Sequence, residues 1–263
     1  MGTNVETRPM WMRKRCAGIV LAGLLVNAAP VLAQSSRSTG SSCGETPTLG
    51  AIAKDTLHDF RRLPSSGSLG FLAIGGVAAF GAHSIDRDVT RDFPAVSGLS
   101  GAFKPGAVIG GTPFQLGASL GTYAIGRALG RSCIARVGAD LVQAQLMAEG
   151  LTMIFKESSR RSRPEGSGLS FPSGHTTVTF ASATVLQRHF GWKVGLPAYA
   201  VASYVAASRV EMKRHYLSDV AFGAALGIVA GRTVPIGHGR ALMLTPMASP
   251  SGVGAQFTLL GRR

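Results

Sequence analysis

Acidic residues are scarce in this chain. Thirteen Asp and Glu stand against 27 Lys and Arg, a formal net charge of +14, so an anionic surface or an anionic ligand is the partner to look for. Charged residues of both signs reach only 15%, below the roughly 25% of an ordinary soluble chain. The deficit comes with 45% hydrophobic residues, which excludes a disordered chain. Like charges never run for five or six residues, and no basic stripe is interleaved with aromatics. With no zinc or helix-turn-helix signature either, nucleic acid is not an expected partner. No Cys/His cluster or carboxylate group has metal-ligand spacing, so no metal and no other cofactor is implied.

Cysteine is rare and unevenly placed, at Cys16, Cys43 and Cys133. The first lies in a segment with the three parts of a secretory signal. Arg8, Arg13, Lys14 and Arg15 form a basic start, Cys16 to Ala29 an apolar stretch, and Val31-Leu32-Ala33 a small-residue cleavage site. The apolar stretch is short for a membrane span of about 20 residues. Residues 1–33 are therefore expected to be removed on export to the periplasm or cell envelope. Cys43 and Cys133 would remain, and an oxidising compartment allows one disulfide between them.

Residues 34–46 are rich in Ser, Gly and Thr and read as a flexible linker. From Pro47 to residue 236 the pattern is helical. An amphipathic stretch, Leu49 to Leu63, stops at Pro64. Six apolar segments follow, at about 68–84, 106–129, 137–156, 174–190, 194–209 and 215–232, separated by Gly, Pro and charged residues. The expected fold is all-α, a six-helix bundle. Residues 237–263 change character and read as a small C-terminal β-hairpin, Ala241 to Met247 and Val253 to Leu260. Abundant glycine, 35 residues, suits helices packed closely in lipid. Asp140, Gln143, Gln145 and Glu149 in one segment oppose a full set of spans unless they turn inward. The expectation is an exported bundle embedded in, or associated with, a membrane.

Three short stretches carry chemistry. They are Lys156 with Arg163-Pro164, then Pro172-Ser173-Gly174-His175, then Ser208-Arg209 with His215 and Asp219. Lys156, Arg163 and Arg209 are three cations, and the planar guanidinium fork matches phosphate oxygens. Ser173 is placed to cap a helix starting near Gly174, whose N-terminus favours an anion and whose missing side chain allows close approach. His215 and Asp219, four apart, would share a helix face, the carboxylate holding the imidazole in one tautomer. Such an imidazole can attack phosphorus while His175 protonates the leaving oxygen. Arg160, Arg161, Lys213 and Arg214 read as solvated surface charges. His83, His189 and His238 show no partner pattern, and Tyr216 and Leu217 read as packing residues.

These eleven positions resemble the three signature motifs of the type 2 phosphatidic acid phosphatase and vanadium haloperoxidase superfamily, and the likeness covers about residues 136–235. The resemblance implies a helical phosphatase. It makes His215 the nucleophile, Asp219 its partner and His175 the general acid, with phosphate bound by Lys156, Arg163, Ser173, Gly174 and Arg209. The implied substrate is a phosphorylated lipid or a small phosphoester at a membrane surface. Three alternatives stay open: a soluble broad-specificity acid phosphatase, a vanadate-dependent haloperoxidase, and a non-catalytic envelope protein that binds phosphorylated lipid.

Overall fold

The structure is a computed structural model that describes residues 46–97, 100–236, 241–249 and 252–260. The expected signal peptide, most of the linker, Cys43 and His238 lie outside the described residues.

Among the described residues the chain forms nine helices and one hairpin. In chain order they are α1 (Leu49–Phe60), α2 (Ser66–His83), α3 (Asp86–Ser97), α4 (Ser100–Ile109), α5 (Thr112–Ala128), α6 (Ser132–Ser159), α7 (Gly174–Phe190), α8 (Trp192–Glu211) and α9 (Leu217–Thr233). Strands β1 (Ala241–Ser249) and β2 (Gly252–Leu260) follow. They pair antiparallel, with Ala241 opposite Leu260 and Ser249 opposite Gly252.

All six apolar segments are helical, with two differences from the sequence expectation. The segment at 106–129 is two helices, because Gly111 caps α5 and Pro113 occupies its first turn, where the missing N–H costs nothing. Helix α3 was not expected. Its sequence, DRDVTRDFPAVS, is too polar for an apolar-run criterion, yet Asp86 and Asp88 in the first turn favour a helix start.

The core is built around α7. One cluster joins Phe180 and Ala183 of α7 to Ala202, Ala206 and Val210 of α8 and to Val220 and Ala224 of α9. Another joins Val178, Ala181 and Val185 of α7 to Leu141, Ala144, Met147 and Ala148 of α6. Burying each of the larger side chains contributes roughly 1.5–3 kcal/mol.

The α7–α9 seam depends on Gly223, Gly227 and Gly231, one helical turn apart on α9. A Cβ at Gly227 would stand 2.3 Å from the Thr177 carbonyl oxygen, and one at Gly223 2.9 Å from that of Ser173. Glycine there lets the two backbones touch, which brings the start of α7 against the first turns of α9.

The polar residues of α6 do turn inward. Gln145 donates to Ser119 of α5 at 2.8 Å and to Ser182 of α7 at 3.0 Å. Asp140 meets His189 at 2.9 Å, so His189 has a partner that its sequence neighbours did not reveal. A buried polar group with its hydrogen bond made costs little, as at Gln145 Nε2 and the Asp140–His189 pair, while Gln145 Oε1 is buried without a partner. Outside this core, α2 is mostly uncovered: Val77 is 75% and Phe80 85% exposed. It is the one helix among the described residues long and apolar enough to cross a membrane, by length and composition.

Candidate active site

Four elements converge at one end of the bundle: the end of α6 with the following loop, the start of α7, the end of α8, and the turn into α9. The loop between α6 and α7 folds back on itself through an isolated bridge between Ser162 and Leu169. That fold-back aims the Leu169 carbonyl at two cations. Lys156 Nζ donates to it at 3.0 Å and Arg163 Nε at 3.2 Å. One backbone oxygen thus orients both side chains, a role no sequence pattern signals.

Arg209 is the third cation and is only 6% exposed. Its Nε is buried without a hydrogen-bond partner, and its Nη1 makes a weak contact with the Met212 sulfur at 3.9 Å. Burial pushes the guanidinium down to about 10, aided by the charges of Arg214 and Arg163. Burial likewise lowers the Lys156 ammonium, with Arg163 adding repulsion. Cations left this poorly compensated favour an incoming anion.

Ser173 is the N-cap of α7, but its hydroxyl does not cap the helix. It accepts instead from Thr176 Oγ1 at 3.0 Å, while its N–H donates to the Asp219 carbonyl at 3.1 Å. The first N–H groups of α7 therefore keep no side-chain cap, and Gly174 has only Thr152 near its Cβ position, at 3.5 Å. His175 follows in the first turn. Burial and the neighbouring Arg209 and His215 push its imidazole down to about 4.

His215 differs from expectation in its setting. It does not lie on a helix with Asp219. It sits in the turn before α9, whose N-cap is Tyr216 and whose third residue is Asp219. The i,i+4 pair still forms, with His215 Nδ1 3.6 Å from Asp219 Oδ2. The nearer acceptor is the Ser170 carbonyl, 2.8 Å from Nδ1. With Nδ1 engaged there, Nε2 is the nitrogen left for chemistry. Burial, the largest influence, holds His215 below the usual histidine range, against the upward pull of Asp219.

Burial alone would raise the Asp219 carboxyl. Hydrogen bonds from His215 and Ser170, the Arg161 charge and the Tyr216 N–H together hold it below its ordinary value. Arg161 was expected to be a surface charge, and the structure corrects that. Its Nη1 lies 2.7 Å from Asp219 Oδ1, its Nη2 2.7 Å from Asp86 Oδ2, and its guanidinium stacks over Tyr216. His83 also has partners: its Nδ1 is 3.3 Å from Asp86 and 3.4 Å from Arg161. Arg214 pairs with Glu165 at 2.5 Å. Arg160 and Lys213 are exposed, as expected.

Ser208 is buried and donates to the Val205 carbonyl at 2.7 Å. Its hydroxyl fills the space beside Gly106, where a Cβ would stand 2.4 Å away. It therefore packs α4 against α8. Tyr216 and Leu217 pack, as the sequence suggested.

Residues 139–241 match the family model of the PAP2 superfamily. Lipid A 1-phosphatase of Porphyromonas gingivalis is 41% identical over 86 residues, 31% of this chain but only 19% of that protein's length. Decaprenylphosphoryl-5-phosphoribose phosphatase of Mycobacterium tuberculosis is 36% identical over 134 residues, 47% of this chain and 71% of that protein. In three dimensions the chain resembles a transmembrane PAP2 type phosphatidylglycerolphosphate phosphatase from Bacillus subtilis. The TM-score is 0.52 at 20% identity, over 70% of this chain and 92% of that one. That likeness establishes the all-α fold.

Proposed function

This chain belongs to the PAP2 superfamily, and from that premise we propose that it is a phosphatase acting on a lipid-linked phosphate through a phospho-histidine intermediate, without a metal ion. The observation that carries the reading is Arg209, a buried guanidinium whose Nε has no partner, beside two imidazoles whose charged forms burial disfavours.

The substrate phosphoryl group would lie among Lys156, Arg163, Arg209 and the first N–H groups of α7. Together they spread the charge that builds on its oxygens. His215 Nε2 attacks phosphorus, and the bond to the leaving oxygen breaks as that oxygen takes a proton from His175, which receives it from the monoanionic phosphate on binding. The phosphoryl-imidazolium is stabilised by Asp219. His175, now neutral, takes a proton from water, whose oxygen attacks phosphorus and returns His215 free. Among the described residues no three His, Cys, Asp or Glu side chains gather as a metal site, and fixed cations supply the charge a metal would otherwise bring.

Two observations support a lipid substrate. The relatives named above are, by name, phosphatases of lipid A and of a decaprenyl-linked sugar phosphate. Helix α2 is also apolar and uncovered, with 11% of its length buried, and it ends at His83, which contacts the Asp86–Arg161 pair behind the site. A membrane holding α2 would meet the bundle at the end that carries the chemistry. Export and a Cys43–Cys133 bond complete the proposal.

The test is phosphate release from phosphorylated lipids in mixed micelles, compared with a short soluble phosphoester, each with and without chelator. Preferred turnover of the lipid, unchanged by chelator, is expected. Equal turnover of the soluble ester without detergent overturns the lipid assignment, and restoration of a chelated enzyme by divalent metal overturns the metal-free mechanism.

A further inference from the structure

The network behind Asp219 is more elaborate than a nucleophile with one partner needs. Asp86, at the first position of α3, is 2% exposed. Its Oδ1 accepts the Ser218 N–H at 2.9 Å, and its Oδ2 accepts the Ser218 hydroxyl at 2.6 Å and Arg161 Nη2 at 2.7 Å. Arg161 Nη1 donates to Ser218 Oγ and to Asp219 Oδ1, each at 2.7 Å. One guanidinium thus bridges two buried carboxylates, and a residue 133 positions before Asp219 fixes the first turn of the helix that carries it. Asp86 also lies outside the stretch that matches the family, residues 139–241.

Two physical consequences follow. Arg161 alone would cancel the charge of Asp219 and leave His215 without a counter-ion when it becomes positive. Asp86 shares that guanidinium, so the three groups keep one net negative charge beside the imidazole. The bridge also fixes the carboxylate plane. Asp219 Oδ1 is committed to Arg161, and Oδ2 is turned toward Ser170, the Tyr216 N–H and His215.

We propose that Asp86 and Arg161 are positioning residues for the His215–Asp219 pair, Arg161 aiming the carboxylate and Asp86 preserving its charge for the imidazolium formed on phosphoryl transfer. The inference rests on the phospho-histidine reading above. Neither residue touches the reacting atoms.

The charged and titratable groups acting on His215 are Asp219 of α9, Lys156 of α6, Arg209 of α8 and His175 of α7, with Arg161, Asp86 and His83 behind Asp219. Against that background the substitutions have opposite signs. Asp86→Asn removes a negative charge and keeps the shape, so the acidic limb of the kcat profile, where His215 must lose its proton, moves to lower pH. Arg161→Met removes a positive charge and moves the limb to higher pH. Arg161→Lys keeps the charge but cannot bridge two carboxylates with a fixed fork, so kcat falls with the limb nearly in place. Each variant is expected to lose about tenfold or more in kcat, the size of a lost hydrogen bond to a charged group, with KM near native.

The experiment measures kcat and KM across pH for the detergent-solubilised full chain and these variants. In parallel, nitrogen-15 NMR of labelled histidines titrates His215, identified by its absence in His215→Ala. Opposite shifts for Asp86→Asn and Arg161→Met in the NMR titration support the proposal even on an inactive preparation. Shifts of the same sign, or none in folded variants, overturn it. A native chain that releases phosphate from no substrate instead overturns the phosphatase reading, so the two failures are distinguishable. Should Arg161→Met not fold, Asp86→Asn against Arg161→Lys still decides: the limb moves only in the former if the proposal holds.

Discussion

The carbonyl oxygen of Ser170 lies 2.8 Å from Nδ1 of His215. A backbone carbonyl only accepts, so this contact requires a proton on Nδ1 and leaves the Nε2 lone pair as the nucleophile. The first prediction follows directly. His215→Ala should reduce kcat by at least about 10³-fold, since removing a covalent nucleophile is among the largest single losses in enzymes. Alkaline quenching during turnover of the native chain should trap phosphate on the peptide carrying His215. Phosphate on the His175 peptide instead would reverse the assigned roles.

His175 gives a prediction with a sign. Its imidazole is pushed down to about 4, so the free site lacks the leaving-group proton at neutral pH. That proton must arrive with the substrate, whose monoanion predominates below the second phosphate ionisation near pH ~6. A plot of kcat/KM should therefore fall as pH rises through about 6. His175→Asn should slow poor leaving groups far more than a nitrophenolate, which departs without protonation. Equal losses for both would remove His175 from the general-acid role.

Arg209 is the cation whose loss should cost most. Its guanidinium is buried and its Nε lacks a partner, so a bound phosphoryl group is its natural counter-ion. Arg209→Ala should lower kcat by about 10²–10³, the usual loss of one preorganised charge-stabilising donor. Arg209→Lys should recover only part of it, because an ammonium cannot reproduce the fork. Vanadate inhibition should weaken in parallel. Halide oxidation switched on by vanadate would point to the haloperoxidase branch instead.

The sequence carried the site's chemistry better than its mechanics. Residue type and spacing nominated Lys156, Arg163, Arg209, His175, His215 and Asp219 for phosphate chemistry, because short motifs keep such groups in a readable order. Leu169, and Ser170 toward His215, act through backbone carbonyls, which any residue type supplies. Arg161 looked like surface charge because its partner Asp86 is 75 positions away, beyond the reach of local pattern. Helix α3 was missed for a related reason. Its first residue, Asp86, joins a buried carboxylate network while Arg87 and Arg91 face solvent, and an apolar-run criterion is silent there.

Glycine on α9 was legible as composition, but its consequence is specific to the seam with α7. Gly227 faces the Thr177 carbonyl at a distance no Cβ tolerates, and that obstacle is backbone, which cannot rotate aside. Gly227→Ala should destabilise the fold by roughly 1–3 kcal/mol through overpacking, and should lower kcat as well by shifting α7, with His175, away from α9. Gly121 in α5 is the control, since its Cβ position is open. Gly121→Ala should be neutral or stabilise by up to about 1 kcal/mol, the helix-propensity gain over glycine. Thermal unfolding of both in the same detergent checks the contrast. If Gly227→Ala melts and turns over like the native chain, the seam does not set the spacing of the two imidazoles.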